Sequence, residues 1–147
     1  MTTDAPAWAL ALLREARVGR LATADASGQP LVVPVCFALA ADDRRLYSAI
    51  DAKPKRIPAG GLRRVRNIAE NPRVSLVVDQ YDEDWTRLRY VIVEGPATIV
   101  DAGPERERAI DLLLEKYPQY LALGLAGSRD PVIAITIERT MAWRYAS

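Results

Sequence analysis

Residues 53–81 read KPKRIPAGGLRRVRNIAENPRVSLVVDQY, and the apolar period changes partway through them. Leu62, Val65, Ile68 and Ala69 recur at helical spacing, and Pro72 after Asn71 stops the helix. From Arg73 the pattern alternates, with Val74, Leu76 and Val78 on one face of a strand. The first 21 residues of the stretch carry seven of the chain's 20 lysines and arginines (Lys53, Lys55, Arg56, Arg63, Arg64, Arg66 and Arg73) and one acid, Glu70. The net charge of the whole chain is only +1, so the positive charge is concentrated locally. Arg63, Arg66 and Asn67 fall on the side of the helix opposite the apolar one. Gly60-Gly61 at the entry lets backbone approach a group at the helix N-terminus, where N–H groups and the dipole favour an anion. Guanidinium groups add forked donors that suit phosphate or carboxylate. Two readings stand side by side: a site for a phosphorylated small molecule, or a solvated basic face neutralised by Asp79, Asp82, Glu83 and Asp84.

Upstream of this stretch, residues 5–16 read as a helix capped by Asp4 with Pro6 in its first turn; Trp8, Leu10, Leu12 and Leu13 give it an apolar side. Arg17–Ala24 is a strand, followed by a turn at residues 25–30 containing Gly28. Leu31–Ala40 (LVVPVCFALA) is almost wholly apolar, which predicts a strand covered on both faces. Pro34 within it cannot donate to a ladder, and marks an edge, a bulge or a turn of backbone toward a ligand. After a hairpin turn at 41–44, Arg45–Ile50 returns as a third strand. Downstream of the quoted stretch, Trp85 sits in a polar loop. Arg89–Val100 is a long strand carrying the bend signal Gly95-Pro96. Pro104–Tyr117 is a helix with Ile110, Leu113, Leu114 and Tyr117 in one stripe. Residues 119–130 are loop or a short helical turn. Pro131–Arg144 is a last strand that turns Ile133, Ile135 and Ile137 to one side. Six strands with hairpin-length early links predict a mainly β, antiparallel barrel decorated by helices, in one domain over 1–147.

Composition narrows the chemistry. The 147 residues contain no histidine and one cysteine, Cys36. That removes Ser-His-Asp and Cys-His catalysis, histidine-ligated metals and multi-cysteine zinc sites. No metal site and no catalytic side chain is identified, so an organic cofactor is expected to carry any redox chemistry. Cys36 is read as a small hydrophobe, and Tyr47 and Tyr81 as barrel-lining residues. No apolar run reaches the ~20 residues of a membrane helix, and no signal-peptide pattern opens the chain. The expected setting is a reducing cytoplasm. Nucleic-acid binding is disfavoured: the basic residues are confined to one segment, and no aromatics are interleaved with them.

The ordered pieces Gly19-Arg-Leu-Ala-Thr23, Gly28-Gln-Pro30, Pro34-Val-Cys-Phe37, Leu46-Tyr-Ser48, Arg66-Asn67-Ile68, Asn71-Pro72-Arg73-Val74, Asp84-Trp85 and Val93-Glu-Gly95 together resemble the split β-barrel flavoproteins related to pyridoxamine 5′-phosphate oxidase. More narrowly, they resemble the actinobacterial enzymes that use the deazaflavin coenzyme F420. The resemblance implies a six-stranded antiparallel split β-barrel and a homodimer with cofactor sites at its interface. It places the cofactor phosphate against Lys53, Lys55, Arg56, Arg64, Arg66 and Asn67. The ring would lie along Val33, Pro34, Val35 and Cys36 and along Ser48, Ala49 and Ile50, with Trp85 as a lid or an interface anchor. Residues 54–61 (PKRIPAGG) are longer than in many relatives. The activity implied is hydride transfer between F420 and a small organic substrate. An FMN-dependent oxidase or reductase on the same fold, and a non-catalytic binder of either cofactor, are the alternatives.

Overall fold

The computed structural model describes residues 5–50 and 62–145. Helix α1 (Ala7–Glu15) precedes strands β1 (Gly19–Ala24), β2 (Pro30–Val35), β3 (Ala38–Leu39) and β4 (Arg45–Ala49). Helix α2 (Arg63–Glu70) leads into β5 (Arg73–Gln80) and β6 (Arg89–Val100); then come α3 (Pro104–Lys116), the single turn α4 (Gln119–Ala122), β7 (Val132–Thr136) and β8 (Arg139–Arg144). The family-like barrel is thus present, with eight strands among the described residues where six are expected. The two extra ones arise because both long apolar runs break. Leu31–Ala40 divides at Cys36–Phe37 into β2 and β3, and Pro131–Arg144 divides at Ile137–Glu138 into β7 and β8. Periodicity shows neither break, because the apolar pattern continues through the change of partner.

Every strand pairing is antiparallel, in the order β2-β1-β5-β6-β7-β4-β3, with β8 on β6. β2 and β3 lie at opposite ends of this order yet are joined directly through Cys36–Phe37. The sheet therefore curls until its ends meet. β6 makes the change of direction possible: Arg89–Glu94 pairs with β8, and Ala97–Val100 with β7. Gly95 and Pro96 sit between the two partners, so the expected bend is a handover within one unbroken strand. Its reason is steric. A Cβ on Gly95 would lie 1.8 Å from the Thr136 carbonyl oxygen, where the chain leaving β7 crosses β6. Glu138 N–H donates to the Glu94 carbonyl just beyond the crossing.

The interior holds two apolar clusters. One joins α1 to the inward faces of the sheet, including Leu13, Leu21, Leu76, Val91, Ile133 and Ile135. Val74, Leu76 and Val78 are all buried, as alternation predicts, and so are Ile133, Ile135 and Ile137. The second packs α3 and α4 on β4 and β7 through Ala109, Ile110, Leu113, Tyr117 and Tyr120. Asp4, the expected cap of α1, lies outside the described residues; Pro6 occupies that position. The prediction that both faces of β2 are covered is not met within this chain. Its burial alternates and Val32 is 61% exposed: one face meets the core and the other is left open, and β2 also stands at an edge, pairing only with β1 among the described residues. Pro34 fits there since an edge strand leaves one row of N–H groups unpaired.

Candidate functional site

A cleft of about 370 Å³ opens where the sheet's two ends meet. One wall is the end of β2 and the residue after it, Pro34, Val35 and Cys36, with Ala49 at the end of β4; Arg64 of α2 joins from one side. The other wall is helical: Tyr117, Gln119, Tyr120 and Leu123. Five residues that the family resemblance points to, Pro34, Val35, Cys36, Ala49 and Arg64, therefore line one cavity although they come from three separate elements. No carboxylate lines it among the described residues.

Polar side chains fix the backbone of the sheet wall. Ser48 is buried and its Oγ donates to the Cys36 carbonyl at 2.9 Å. The Tyr117 hydroxyl accepts from Phe37 N–H at 3.1 Å and lies 3.0 Å from the carbonyls of both Phe37 and Arg17, which share its single proton. Burial raises this phenol above its ordinary pKa, so it remains a donor. One ring thus ties the start of β1, the β2–β3 junction and the end of α3 together. Beside it, Lys116 Nζ rests 4.0 Å over the Phe37 ring with its amine buried and, among the described residues, without a hydrogen-bond acceptor. Burial, followed by the charge of Arg17, pushes Lys116 down to about 8.

The remaining expected residues are placed elsewhere. Asn67 does not face outward with Arg63 and Arg66. It is buried, and its Nδ2 donates to Thr23 Oγ1 at 3.0 Å, docking α2 on β1. Ala69, expected on the apolar side of α2, is exposed instead. Arg66 is exposed and off the cleft lining, Val33 packs against the core, and Ile50 is buried. Trp85 lies in a 3₁₀ turn (Trp85–Arg87), is 62% exposed and does not line this cleft. Tyr81, expected inside the barrel, is likewise exposed, with Trp85 Nε1 3.4 Å from its hydroxyl. Lys53, Lys55, Arg56 and the insertion at 54–61 lie outside the described residues. The acidic run does not neutralise α2 among the described residues: Asp79 pairs with Arg20 at 2.8 Å, Asp82 with Arg87 at 3.5 Å, and Asp84 caps the turn at Thr86.

Sequence reasoning missed Arg106. It occupies the same stripe of α3 as Ile110, Leu113 and Tyr117, and an arginine in an apolar register was the available signal. A second, larger cleft of about 600 Å³ lies between β4 and α3, around Arg45, Tyr47, Glu105, Arg108 and Asp111. Tyr47 donates to Glu105 Oε2 at 2.9 Å, and Arg45 pairs with the same oxygen. Burial alone would raise the Glu105 carboxyl, but bonds from Arg45 and Tyr47 together hold it below its ordinary range. Asp42 also lines this cleft, so its three carboxylates make it a poor host for an anion.

Comparison with known proteins agrees with this architecture. The family profile for pyridoxamine 5′-phosphate oxidase matches residues 6–144. A 5a,11a-dehydrotetracycline/5a,11a-dehydrooxytetracycline reductase of Streptomyces rimosus is 35% identical over 119 residues, covering 78% of this chain and 80% of the reductase. A conserved hypothetical protein of Mycobacterium tuberculosis superposes with a TM-score of 0.74 at 22% identity, over 98% of this chain and 87% of that one. A FAD-binding protein of Mesorhizobium loti gives 0.71 at 25% identity, over 97% and 93%. With a profile match that spans the barrel from α1 through β8, the chain belongs to the pyridoxamine 5′-phosphate oxidase family.

Proposed function

We propose that the chain is an oxidoreductase that holds F420, or less favourably FMN, in the cleft between the β2–β4 wall and α4. The observation that carries this reading is the composition of the cleft among the described residues: apolar side chains and two tyrosines on its walls, the Arg64 guanidinium at one side, and no carboxylate. Such a lining suits a flat ring with an anionic attachment. The bound cofactor would supply hydride chemistry, which amino-acid side chains do not offer. Arg64 would meet the phosphate, and Lys53, Lys55 and Arg56 would extend the positive field toward it. Ser48 and Tyr117 would hold the wall at Cys36–Phe37 rigid, so the ring lies in one place. The apolar lining would keep water from the reacting face. The relative from Streptomyces rimosus is a reductase, which supports reduction of a conjugated organic acceptor as the reaction.

The cofactor choice rests on charge. F420 carries an acidic tail beyond its phosphate, and the basic segment at 53–66 favours the more anionic of the two ligands. A homodimer belongs to the same reading. Tyr81, Trp85, Tyr90, Trp143 and Tyr145 are all exposed around β5, β6 and β8, with Tyr90 and Trp143 stacked at 5.7 Å. Aromatic rings grouped on a surface suit burial against a second copy. No helix among the described residues is long and apolar enough to cross a membrane, and a cytoplasmic enzyme remains the proposal. Fluorescence titration of the purified protein with F420 and, separately, FMN tests the reading. Tighter binding of F420 is expected; micromolar FMN binding without F420 binding would transfer the assignment to FMN. Tight binding with no turnover on a panel of enones and quinones would make the protein a cofactor carrier.

A further inference from the structure

The two walls of the cleft are built differently. The sheet wall offers Pro34, Val35, Cys36 and Ala49, none of which presents a strong hydrogen-bonding side chain to a ligand. Apart from Arg64, the polar tips and bulk among the described lining residues come from residues 117–123. Among the described residues this segment has no strand partner. Its internal bonds are local ones: Leu121 N–H to the Pro118 carbonyl, Gly124 N–H to Leu121, Gly127 N–H to Gly124, and Ser128 N–H to Leu125. Leu121 and Leu123 stand exposed, and Gly124 takes the left-handed conformation at φ 80°. The segment is fastened at both ends by side chains that bond backbone. At the near end Tyr117 does so through its hydroxyl. At the far end Arg106, only 7% exposed, donates from Nη2 to the carbonyls of Ser128 (2.7 Å) and Asp130 (2.9 Å) and from Nε to Asp130 (3.1 Å). Its nearest carboxylate is that of the exposed Glu107, at 3.5 Å. A buried guanidinium held mainly by carbonyls is costly unless its geometry is fixed, and here that geometry fixes a loop.

We infer that residues 119–123 form the ligand-selecting wall of the cleft, with Gln119 reading the polar edge of a bound ring, and that Arg106 is the positioning residue that sets this wall. The inference rests on the cofactor reading above. Tyr117's hydroxyl is already bonded to backbone, whereas the exposed Gln119 amide can both donate and accept at a ring's carbonyl and N–H edge, beside the mostly buried Tyr120 phenol on the same wall. Leu123 at the rim supplies apolar contact. Arg106 touches no ligand and acts through Ser128 and Asp130.

The test separates ring from tail by titrating with FMN and with riboflavin, which has the same ring and no phosphate. Gln119→Ala removes an exposed side chain that has no hydrogen bond among the described residues, so it leaves folding intact. It should weaken both ligands by about fivefold, the effect of one hydrogen bond. Arg106→Met should weaken both by about tenfold and speed amide exchange across 119–127 while the β5–β6 amides stay protected; Arg106→Lys should recover part of each effect. Arg64→Met should weaken FMN and spare riboflavin. Unchanged binding in Gln119→Ala would overturn the ligand-selecting role. Unchanged exchange at 119–127 in Arg106→Met, or exchange raised equally throughout the barrel, would overturn the positioning role. Wild-type protein that binds no flavin or F420 would instead overturn the cofactor reading, and the inference with it.

Discussion

A methyl group at position 95 has no room: the Thr136 carbonyl oxygen would stand 1.8 Å from it, and backbone on a crossing chain cannot swing aside. Gly95→Ala should therefore cost about 3 kcal/mol or more, read from the denaturant midpoint, at the upper end of overpacking effects. Lys116 behaves in the opposite sense. Its pKa is lowered from the ordinary 10.5 to about 8 by burial, so the folded protein releases this proton more readily than the unfolded chain does. The penalty is fully present below pH 8 and is relieved as pH rises from about 8 to 10.5. Lys116→Met should raise the melting temperature at pH 7 by about 2–4 °C, what ~1 kcal/mol gives at this size. The gap between variant and wild type should close across pH 8–10.5; a gap independent of pH would remove this account of the amine. Neither residue's role is visible in sequence. Glycine at 95 advertises a bend, but only the crossing of β7 and β6 explains why the bend excludes a side chain. Lys116 reads as an ordinary helix-end cation until Phe37 is brought under it.

Among the elements, α3 shows where sequence reading stops. Its start and its apolar stripe were legible from Pro104 and the i, i+3, i+4 spacing, since helical periodicity is local information. What the stripe does at its two ends was not. Arg106 bonds residues 22 and 24 positions away, and the Tyr117 hydroxyl bonds backbone 80 and 100 positions away. Removing only that hydroxyl isolates the seam. Tyr117→Phe leaves Phe37 N–H and two carbonyls without their partner and should cost about 1–3 kcal/mol in thermal or chemical unfolding. A loss under ~0.5 kcal/mol would mean the seam is held by packing alone. Helix α2 teaches a related lesson. Its amphipathic reading put Asn67 outward with the arginines, but a short polar side chain fits equally well against a neighbouring hydroxyl. Thr23 supplies one, and the helix docks by that bond beside Val65 and Ile68.

For the whole molecule, order of elements and alternation were enough to indicate an antiparallel barrel, because each strand's inward face repeats every second residue. The junctions at Cys36–Phe37 and Ile137–Glu138 were hidden, since the residues there are as apolar as the strands around them, or lie where the pattern simply changes partner. The cleft was legible only in pieces: Pro34 signalled an unusual backbone and the arginines signalled an anion, while the helical wall from 117 to 123 carried no motif. The exposed rings around β5, β6 and β8 belong to this scale as well. Sedimentation should give a dimer, and Trp143→Glu should shift it toward monomer at micromolar concentration; a wild-type monomer would leave those rings without the proposed partner. Whether the cleft accepts a phosphorylated redox ring is measured most directly by a fluorescence-quenching titration of the wild-type protein and of Arg64→Met with F420. Micromolar or tighter binding by the wild type, weakened about tenfold or more in the variant as one charge-assisted contact is lost, is the predicted result. Absence of binding to F420 and to FMN at millimolar concentration, or affinity indifferent to Arg64, would contradict it.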